Sequence, residues 1–282
     1  MTPLGTRVAT AAVLVPTVLV ALFTFAPLPW AVAVLALVFV AALEWAGLAR
    51  WRGAMRYAYA GAVVVPGAAL LALAPPQPST GWPDAVVVVA CGVATLFWLA
   101  IALPWVVRRW PARSSPALAA AGVVVLGGVW IALVELQARS PWLALAAMAV
   151  VWIADTAAYF SGRAFGRRKL APLVSPGKTW EGVWGALVAV VVYAVALLPF
   201  ARAAGYDGPV GPIEVAAWIV LVLVLAMMSV LGDLFESWMK REAGVKDSGT
   251  LLPGHGGVLD RVDALLAAMP PAALAVHRFL AS

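Results

Sequence analysis

Long apolar runs alternate along the chain with short segments that carry charged residues, proline and glycine. Nine of these runs approach the roughly 20 residues that a helix needs to cross the hydrocarbon core of a bilayer. Because lipid cannot hydrogen-bond to backbone groups, each run predicts a membrane-spanning helix. The nine predicted spans cover about 8–26, 30–49, 57–75, 85–107, 117–136, 141–160, 180–200, 213–232 and 262–280.

Composition agrees with this pattern. The chain is 64% hydrophobic with a mean hydropathy of +0.98, and 11% of its 282 residues are charged, against about 25% in a soluble globular protein. We therefore predict an all-α, polytopic membrane helix bundle that forms one integrated domain. It comprises N-terminal helices in 1–140 and C-terminal helices in 141–282, with two long cytoplasmic loops at about 161–179 and 233–261.

The distribution of the 19 lysine and arginine residues predicts the orientation of the chain. All but Arg139, Arg202 and Arg278 fall on alternate connections, beginning with the segment before the first span. Basic residues collect in cytoplasmic loops, so the N-terminus and both long loops are predicted to be cytoplasmic. This topology, together with attraction to anionic lipid headgroups, accounts for the net charge of +6. Nucleic-acid binding is not expected, because the sequence predicts no soluble basic domain. The alanine- and valine-rich composition indicates a bacterial inner membrane.

The second long loop begins on a helix whose polar residues can share one face. Asp233, Glu236, Ser237 and Lys240 are spaced by three or four residues, which places them together on an α-helix. Two carboxylates near a membrane surface suit a hard cation such as Mg²⁺. The alternative is a solvated helix end on which Glu236 and Lys240 form a surface ion pair.

A glycine-rich turn around His255 follows. Its three glycines leave backbone N–H groups accessible, and such turns bind anions such as phosphates. The alternative is an ordinary flexible turn with a capping or packing histidine. Asp260 and Asp263 come next, one helical turn apart at the start of the ninth span. Either they interact favourably with the helix dipole, or Asp260 faces Asp233 across the loop and shares a metal ion with it.

The first long loop ends in polar residues just before the seventh span. Ser175 and Thr179 can cap the following helix, or they can place hydroxyl groups, together with Lys178, against a polyphosphate. The segment is not the nucleotide-binding Gly-x-x-x-x-Gly-Lys-Ser/Thr loop.

Asp155, Glu44 and the only cysteine, Cys91, are among the residues of interest within predicted spans. A charged side chain there is costly and therefore indicates a functional role. Asp155 lies near the end of the sixth span, where the alternatives are a salt bridge to Arg163 or burial beside polar groups. Glu44 lies near the end of the second span. Cys91 is interpreted as inert packing, because a single cysteine excludes a disulfide framework and a cysteine metal site.

The polar residues of the second loop resemble the signature of the phosphatidate cytidylyltransferases, also called CDP-diacylglycerol synthases. The matching pattern is Ser237-x-x-Lys240-Arg241, four residues, Lys246-Asp247-x-Gly249, and then Pro253-x-His255-Gly256-Gly257-x-x-Asp260-Arg261-x-Asp263. A second segment that resembles the family is Ser175-Pro176-Gly177-Lys178-Thr179-x-Glu181-Gly182. The resemblance covers roughly residues 150–263, so it transfers no functional residue to the first 140.

The resemblance implies an integral membrane enzyme that converts CTP and phosphatidate into CDP-diacylglycerol and pyrophosphate. It implies Mg²⁺ as the cofactor, is compatible with a second monovalent or divalent ion, and implies a homodimer. Its implied metal ligands are Asp233 and Asp260, with Glu236 and Asp263 as further ligands or neighbours of the metal.

The other implied site residues fall into three groups. Those that neutralise phosphates are Lys240, Arg241, Lys246 and Arg261. Those that shape the polyphosphate turn are His255, Gly256 and Gly257. Those that contact CTP or the lipid phosphate are Ser175, Lys178 and Thr179. The resemblance also implies that Asp247 is a catalytic residue and that Ser237 binds substrate.

Two other classes of membrane protein remain as alternatives. CDP-alcohol phosphotransferases carry an Asp-Gly-x-x-Ala-Arg framework, whereas the one Asp-Gly here, Asp207-Gly208, continues Pro-Val-Gly-Pro. Lipid or anion transporters bind their substrates near the bilayer midplane, whereas the charged residues of this chain are predicted at the cytoplasmic face. The charge pattern therefore favours interfacial chemistry.

Overall fold

The computed structural model describes residues 3–111, 115–200, 211–251 and 256–280. Most of the chain is helical, as the apolar runs predict. The helices are α1 (Pro3–Thr24), α2 (Pro27–Leu48), α3 (Ala54–Leu73), α4 (Asp84–Phe97), α5 (Leu103–Arg108), α6 (Pro116–Arg139), α7 (Pro141–Phe165), α8 (Trp180–Leu197), α9 (Pro212–Ala243) and α10 (Leu259–Leu280).

Each of the nine predicted spans falls on helix, and seven helical segments in the described ranges are long and apolar enough to cross a membrane. These seven begin with α2 and end with α9, with α4 and α5 counted as one segment, Asp84–Arg108. The two predicted spans outside this set are the first and the last. The described apolar part of α1 is the shorter stretch Ala12–Thr24, and α10 contains Pro270 and Pro271 and carries charge at both ends.

A single π-helical turn, Trp98–Ala102, joins α4 to α5. Pro104 lies two residues after this turn and has no backbone N–H to donate, which favours an irregular turn at this point. The indole of Trp98 donates to the carbonyl of Leu266 in α10 at 3.0 Å. Its ring also joins an aromatic cluster around Phe235 of α9, whose other members are Trp45, Phe97, Trp105 and Trp238. This cluster fixes the half of α9 that carries the polar residues.

A two-stranded antiparallel hairpin connects α7 to α8, and the sequence pattern did not predict it. Its strands are β1 (Lys169–Ala171) and β2 (Ser175–Thr179), with Lys169 opposite Thr179 and Ala171 opposite Ser175. Thr179 caps α8, because its hydroxyl accepts a hydrogen bond from the N–H of Gly182 at 3.2 Å. The capping interpretation of Thr179 is therefore confirmed.

Polar groups gather at two opposite ends of the bundle. At one end, α2 and α9 finish and α10 begins; Arg50 Nη2 donates there to the carbonyl of Ala243 at 3.0 Å. At the other end lie the C-termini of α6 and α10, where Arg139, Glu135 and His277 form one network. This arrangement agrees with the alternation of basic connections, and the assignment of one end to the cytoplasm stays a prediction.

Candidate active site

Helices α9 and α10 cross closely at the end of the bundle that carries the predicted site. Gly232 permits this approach, since a Cβ there would meet the backbone carbonyl of Asp263 and, at 3.1 Å, the Cβ of Ala267. Asp233 and Glu236 then follow on α9 while Asp260 and Asp263 lie on the first turns of α10. The spacing predicted from the sequence thus places all four acidic residues along one helix crossing.

Lys240 joins two of these acidic residues. Its Nζ lies 2.5 Å from Glu236 Oε2 and 2.7 Å from Asp260 Oδ1. The alternative proposed for the sequence was a solvated surface pair between Glu236 and Lys240. The pair is present but lies inside the protein, because the side chains of Glu236 and Asp260 are almost fully buried. Its electrostatic energy is therefore less screened by water than that of a surface pair.

Lys178 of β2 forms the second ion pair of the site. Its Nζ lies 2.7 Å from Asp233 Oδ2, and the hydroxyl of Ser237 donates to Asp233 Oδ1 at 3.2 Å. Asp155 of α7 and Asp263 of α10 lie close enough to interact electrostatically with Asp233 and Lys178. The hairpin thus brings one lysine into a group of three carboxylates from three helices.

Asp155 belongs to this group rather than to the alternative pair with Arg163. Within the described part of the chain no Asp155–Arg163 ion pair is formed, and Arg163 Nη1 instead donates to the hydroxyl of Tyr159 at 3.1 Å. The placement of Asp155 next to the predicted site supports the functional interpretation of an acid inside a span.

Asp260, which precedes the ninth predicted span, receives several hydrogen bonds. Its Oδ2 accepts from the N–H of Ser248 at 2.8 Å, from the hydroxyl of Ser248 at 2.9 Å and from the N–H of Gly257 at 2.8 Å. Burial raises the pKa of Asp260, but these donors and the Lys240 ammonium outweigh that effect and lower the pKa to about 2. Asp260 is therefore an anion at neutral pH.

Glu44 of α2 also belongs to this end of the bundle. Its carboxylate accepts hydrogen bonds from the N–H groups of Val258 and Leu259 and lies 3.1 Å from the hydroxyl of Ser248, for which it is an alternative acceptor to Asp260. The sequence marked Glu44 only as an acid near the end of a span. Its partners lie more than 200 positions away along the chain, so no local pattern could identify them.

The remaining predicted residues lie around these two ion-paired groups. Arg241 Nε donates to the carbonyl of Val174 in the hairpin at 3.2 Å. Gly256 adopts a φ of 83°, a conformation that glycine accepts at little cost. Lys246, Asp247 and Arg261 are exposed at the same end, Ser175 is half-buried in β2, and Gly257 is buried. His255 lies outside the described residues.

The oxygen atoms of this site are mainly engaged in ion pairs, although their chemistry suits a divalent cation. Among the described residues no group of three or more acidic, histidine or cysteine side chains has the geometry of a metal site, and Asp233 and Asp260 lie in different ion pairs. The donor chemistry nevertheless suits Mg²⁺, which prefers carboxylate oxygens. Glu236 Oε1 in particular is buried without a hydrogen-bonding partner. A buried carboxylate oxygen of this kind is available to a cation.

Comparison with known proteins gives consistent matches. A family model described as the cytidylyltransferase family matches residues 5–279. A Pseudomonas aeruginosa protein named phosphatidate cytidylyltransferase is 40% identical over 268 residues, which cover 94% of this chain and 93% of the relative. A Haemophilus influenzae protein of the same name is 54% identical over 129 residues, which cover 46% of this chain and 43% of the relative. A Brucella suis protein of that name is 44% identical over 164 residues, which cover 57% of this chain and 54% of the relative.

Proposed function

Since this chain belongs to the cytidylyltransferase family, we propose that it transfers the cytidylyl group of CTP to phosphatidate, giving CDP-diacylglycerol and pyrophosphate. The observation that carries the proposal is the meeting of two lysines and five carboxylates at the crossing of α9 and α10. Both lysines, Asp260 and Asp263 lie in the two segments that resemble the family signature, and the other three carboxylates lie within the wider range of resemblance, about 150–263.

The chemistry of this reaction matches what the residues supply. The nucleophile is a phosphate oxygen of the lipid, which is already anionic at neutral pH, so no general base is required. The main obstacle is the repulsion between the lipid phosphate and the triphosphate. Positioning and charge neutralisation are therefore the dominant contributions, as in phosphoryl transfer generally.

Lys178 and Lys240 are the residues that we assign to phosphate binding. Each is held by carboxylates at a fixed place, Lys178 by Asp233 and Lys240 by Glu236 and Asp260. An ammonium group positioned in this way neutralises phosphate charge without first losing side-chain entropy. Arg241, Lys246 and Arg261 are assigned the same role at the rim of the site.

We assign Asp233, Asp260 and Glu236 as the residues that hold Mg²⁺. When bound, the metal would neutralise charge on phosphate oxygens and stabilise the departing pyrophosphate. The unpartnered Oε1 of Glu236 supports this assignment. A second cation is compatible with the same carboxylates.

The position of the site also suits a lipid substrate. It lies where polar helix ends meet apolar spans, so the acyl chains of phosphatidate would remain in hydrocarbon while its headgroup meets CTP. We propose that this end faces the cytoplasm of a bacterial inner membrane, because the basic connections lie on this side. We extend the proposal to a homodimer, which the family resemblance implies.

A labelling experiment with the purified protein tests this function. Incubation of the protein with phosphatidate, Mg²⁺ and CTP labelled at the α-phosphorus should produce a chloroform-soluble labelled lipid, whereas label at the γ-phosphorus should stay in the water phase as pyrophosphate. A CDP-alcohol phosphotransferase would instead release CMP from CDP-diacylglycerol and an alcohol. A transporter would leave both labels in CTP, and either result would exclude the proposed reaction.

A further inference from the structure

Glu44 is a buried carboxylate without a basic partner in the described part of the chain. Its residue is 4% exposed, and no Lys, Arg or His there lies within ion-pairing distance of it. A buried charge is unfavourable unless hydrogen bonds compensate it. Here the N–H of Val258 donates to Oε1 at 3.0 Å and the N–H of Leu259 donates to Oε2 at 2.7 Å.

These two N–H groups belong to the start of α10. The first N–H groups of a helix have no partner within the helix, and they form the positive end of its dipole. Glu44 supplies a partner for them from α2, a helix that is distant in sequence. The carboxylate therefore fixes where α10 begins, and Asp260 follows one residue after Leu259.

Ser248 connects Glu44 directly to Asp260. Its hydroxyl lies 3.1 Å from Glu44 Oε2 and 2.9 Å from Asp260 Oδ2. A hydroxyl has one hydrogen and can donate it to one carboxylate at a time. A change at Asp260 that weakens its bond to Ser248 would therefore leave the hydroxyl to Glu44, so the two carboxylates are linked through one residue.

Two glycines of the signature, Gly249 and Gly257, lie directly against the Glu44 carboxylate. A Cβ at Gly249 would fall against the Glu44 carboxylate, with the carboxyl carbon 2.9 Å away. A Cβ at Gly257 would lie 2.6 Å from the same carbon and would also meet the hydroxyl of Ser248. The backbone thus approaches Glu44 closely at two described positions, Gly249 and Gly257. The close approach to Glu44 therefore explains why glycine is required at these two positions without any contact to phosphate.

We infer that Glu44 is a positioning residue for the cytidylyl transfer: it holds the glycine-rich loop and the start of α10 so that Asp260 stands beside Lys240. This inference rests on the proposed function and adds to it a residue from the first 140, to which the family resemblance assigned none. Glu44 itself touches backbone and Ser248, so it acts on the reaction through the loop.

Glu44→Gln is the informative variant, with Glu135→Gln as its matched control. The amide keeps the size of the side chain but places an NH₂ group against one of the two N–H donors. Glu135 is also a buried carboxylate that accepts a backbone N–H, from Trp82 at 2.8 Å, but it lies at the opposite end of the bundle. We expect Glu44→Gln to lower kcat/KM for CTP about tenfold or more, and Glu135→Gln to change it less than about twofold.

Amide hydrogen exchange provides a readout that does not depend on activity. In Glu44→Gln the amides of Val258 and Leu259 should exchange about tenfold faster while the midpoint of thermal unfolding in detergent shifts no more than in Glu135→Gln. Unchanged exchange and kinetics in Glu44→Gln would overturn the inference. Equal kinetic losses in both variants would also overturn it, because they would indicate a general loss of stability. An inactive wild-type protein would instead refute the proposed function.

A second pair of variants covers the case in which Glu44→Gln does not fold. Gly249→Ala places a methyl group against the Glu44 carboxylate and should reproduce the kinetic loss, whereas Gly127→Ala in α6 meets nothing within 4 Å. Wild-type kinetics in Gly249→Ala would contradict the inference.

Discussion

Lys178 and Asp233 form an ion pair of 2.7 Å that joins the β-hairpin to α9. Lys178 belongs to one of the two segments that resemble the family signature, and Asp233 lies four residues before the start of the other, at Ser237. The hairpin brings these parts of the chain together. The amino group of Lys178 also approaches the carbonyl of Val230 at 3.5 Å. The lysine therefore lies at the crossing of α9 and α10 rather than in a solvated loop.

Replacement of Lys178 by Met should reduce formation of CDP-diacylglycerol about 100-fold or more, since it removes the cationic group that we assign to the transferring phosphates. The protein should remain folded, because Lys178 is only partly buried. Initial rates at saturating phosphatidate measure the effect. Lys169→Met is the matched control, because Lys169 is an exposed residue of the same hairpin and should tolerate the change. Equal rates in the two variants would show that Lys178 has no special role in the reaction.

Removal of divalent cations should abolish activity, and added Mg²⁺ should restore it. Asp260→Asn should keep the fold and remove most activity, because the amide loses the charge that pairs with Lys240 and that we propose binds the metal. Its residual activity should require roughly 10–100-fold more Mg²⁺ for half-maximal rate. Asp84→Asn is the control, since Asp84 is exposed at the opposite end of the bundle. Near-normal turnover of Asp260→Asn at low Mg²⁺ would refute the metal assignment.

The helices were predictable from the sequence because length and apolarity alone decide them. The runs that contain Glu44 and Asp155 both form helices, and the i, i+3, i+4 spacing of Asp233, Glu236 and Ser237 correctly placed them on α9. These features depend on residues that are neighbours in sequence.

The partners of these residues were not predictable in the same way. The hairpin has no alternating apolar pattern, so the contact of Lys178 with Asp233 had no local signal. The interpretation of Asp233 and Asp260 as one metal-sharing pair also omitted the lysines, which lie between or beside the carboxylates. Side-chain partners across a helix crossing follow from tertiary packing, which a single sequence does not specify.

The polar network at the opposite end of the bundle should contribute to stability alone. Glu135 is fully buried, and its Oε1 lies 2.6 Å from Arg139 Nε and 3.2 Å from His277 Nδ1. The variant Arg139→Leu removes the arginine that pairs with this carboxylate. A buried carboxylate that loses its partner costs about 3–5 kcal/mol. Denaturant unfolding in detergent should show this loss, while kcat/KM of the folded protein stays within about twofold.

The double variant Glu135→Gln with Arg139→Leu distinguishes charge from shape in this network. It removes the buried charge together with its partner and should recover part of the lost stability. A double variant that is less stable than Arg139→Leu would contradict this account, because it would show that the Glu135 carboxylate stabilises the fold without Arg139, through the Trp82 N–H or His277.

Cysteine labelling in intact bacterial cells tests the predicted orientation. The single cysteine, Cys91, is buried, and its replacement by Ala provides a background without thiols. Leu251→Cys and Asp84→Cys then place one exposed thiol at each end of the bundle. A membrane-impermeant maleimide should label the Asp84→Cys variant in intact cells and the Leu251→Cys variant only after permeabilisation, because basic connections face the cytoplasm. The reverse labelling pattern would place the proposed site on the outer face, away from cytoplasmic CTP.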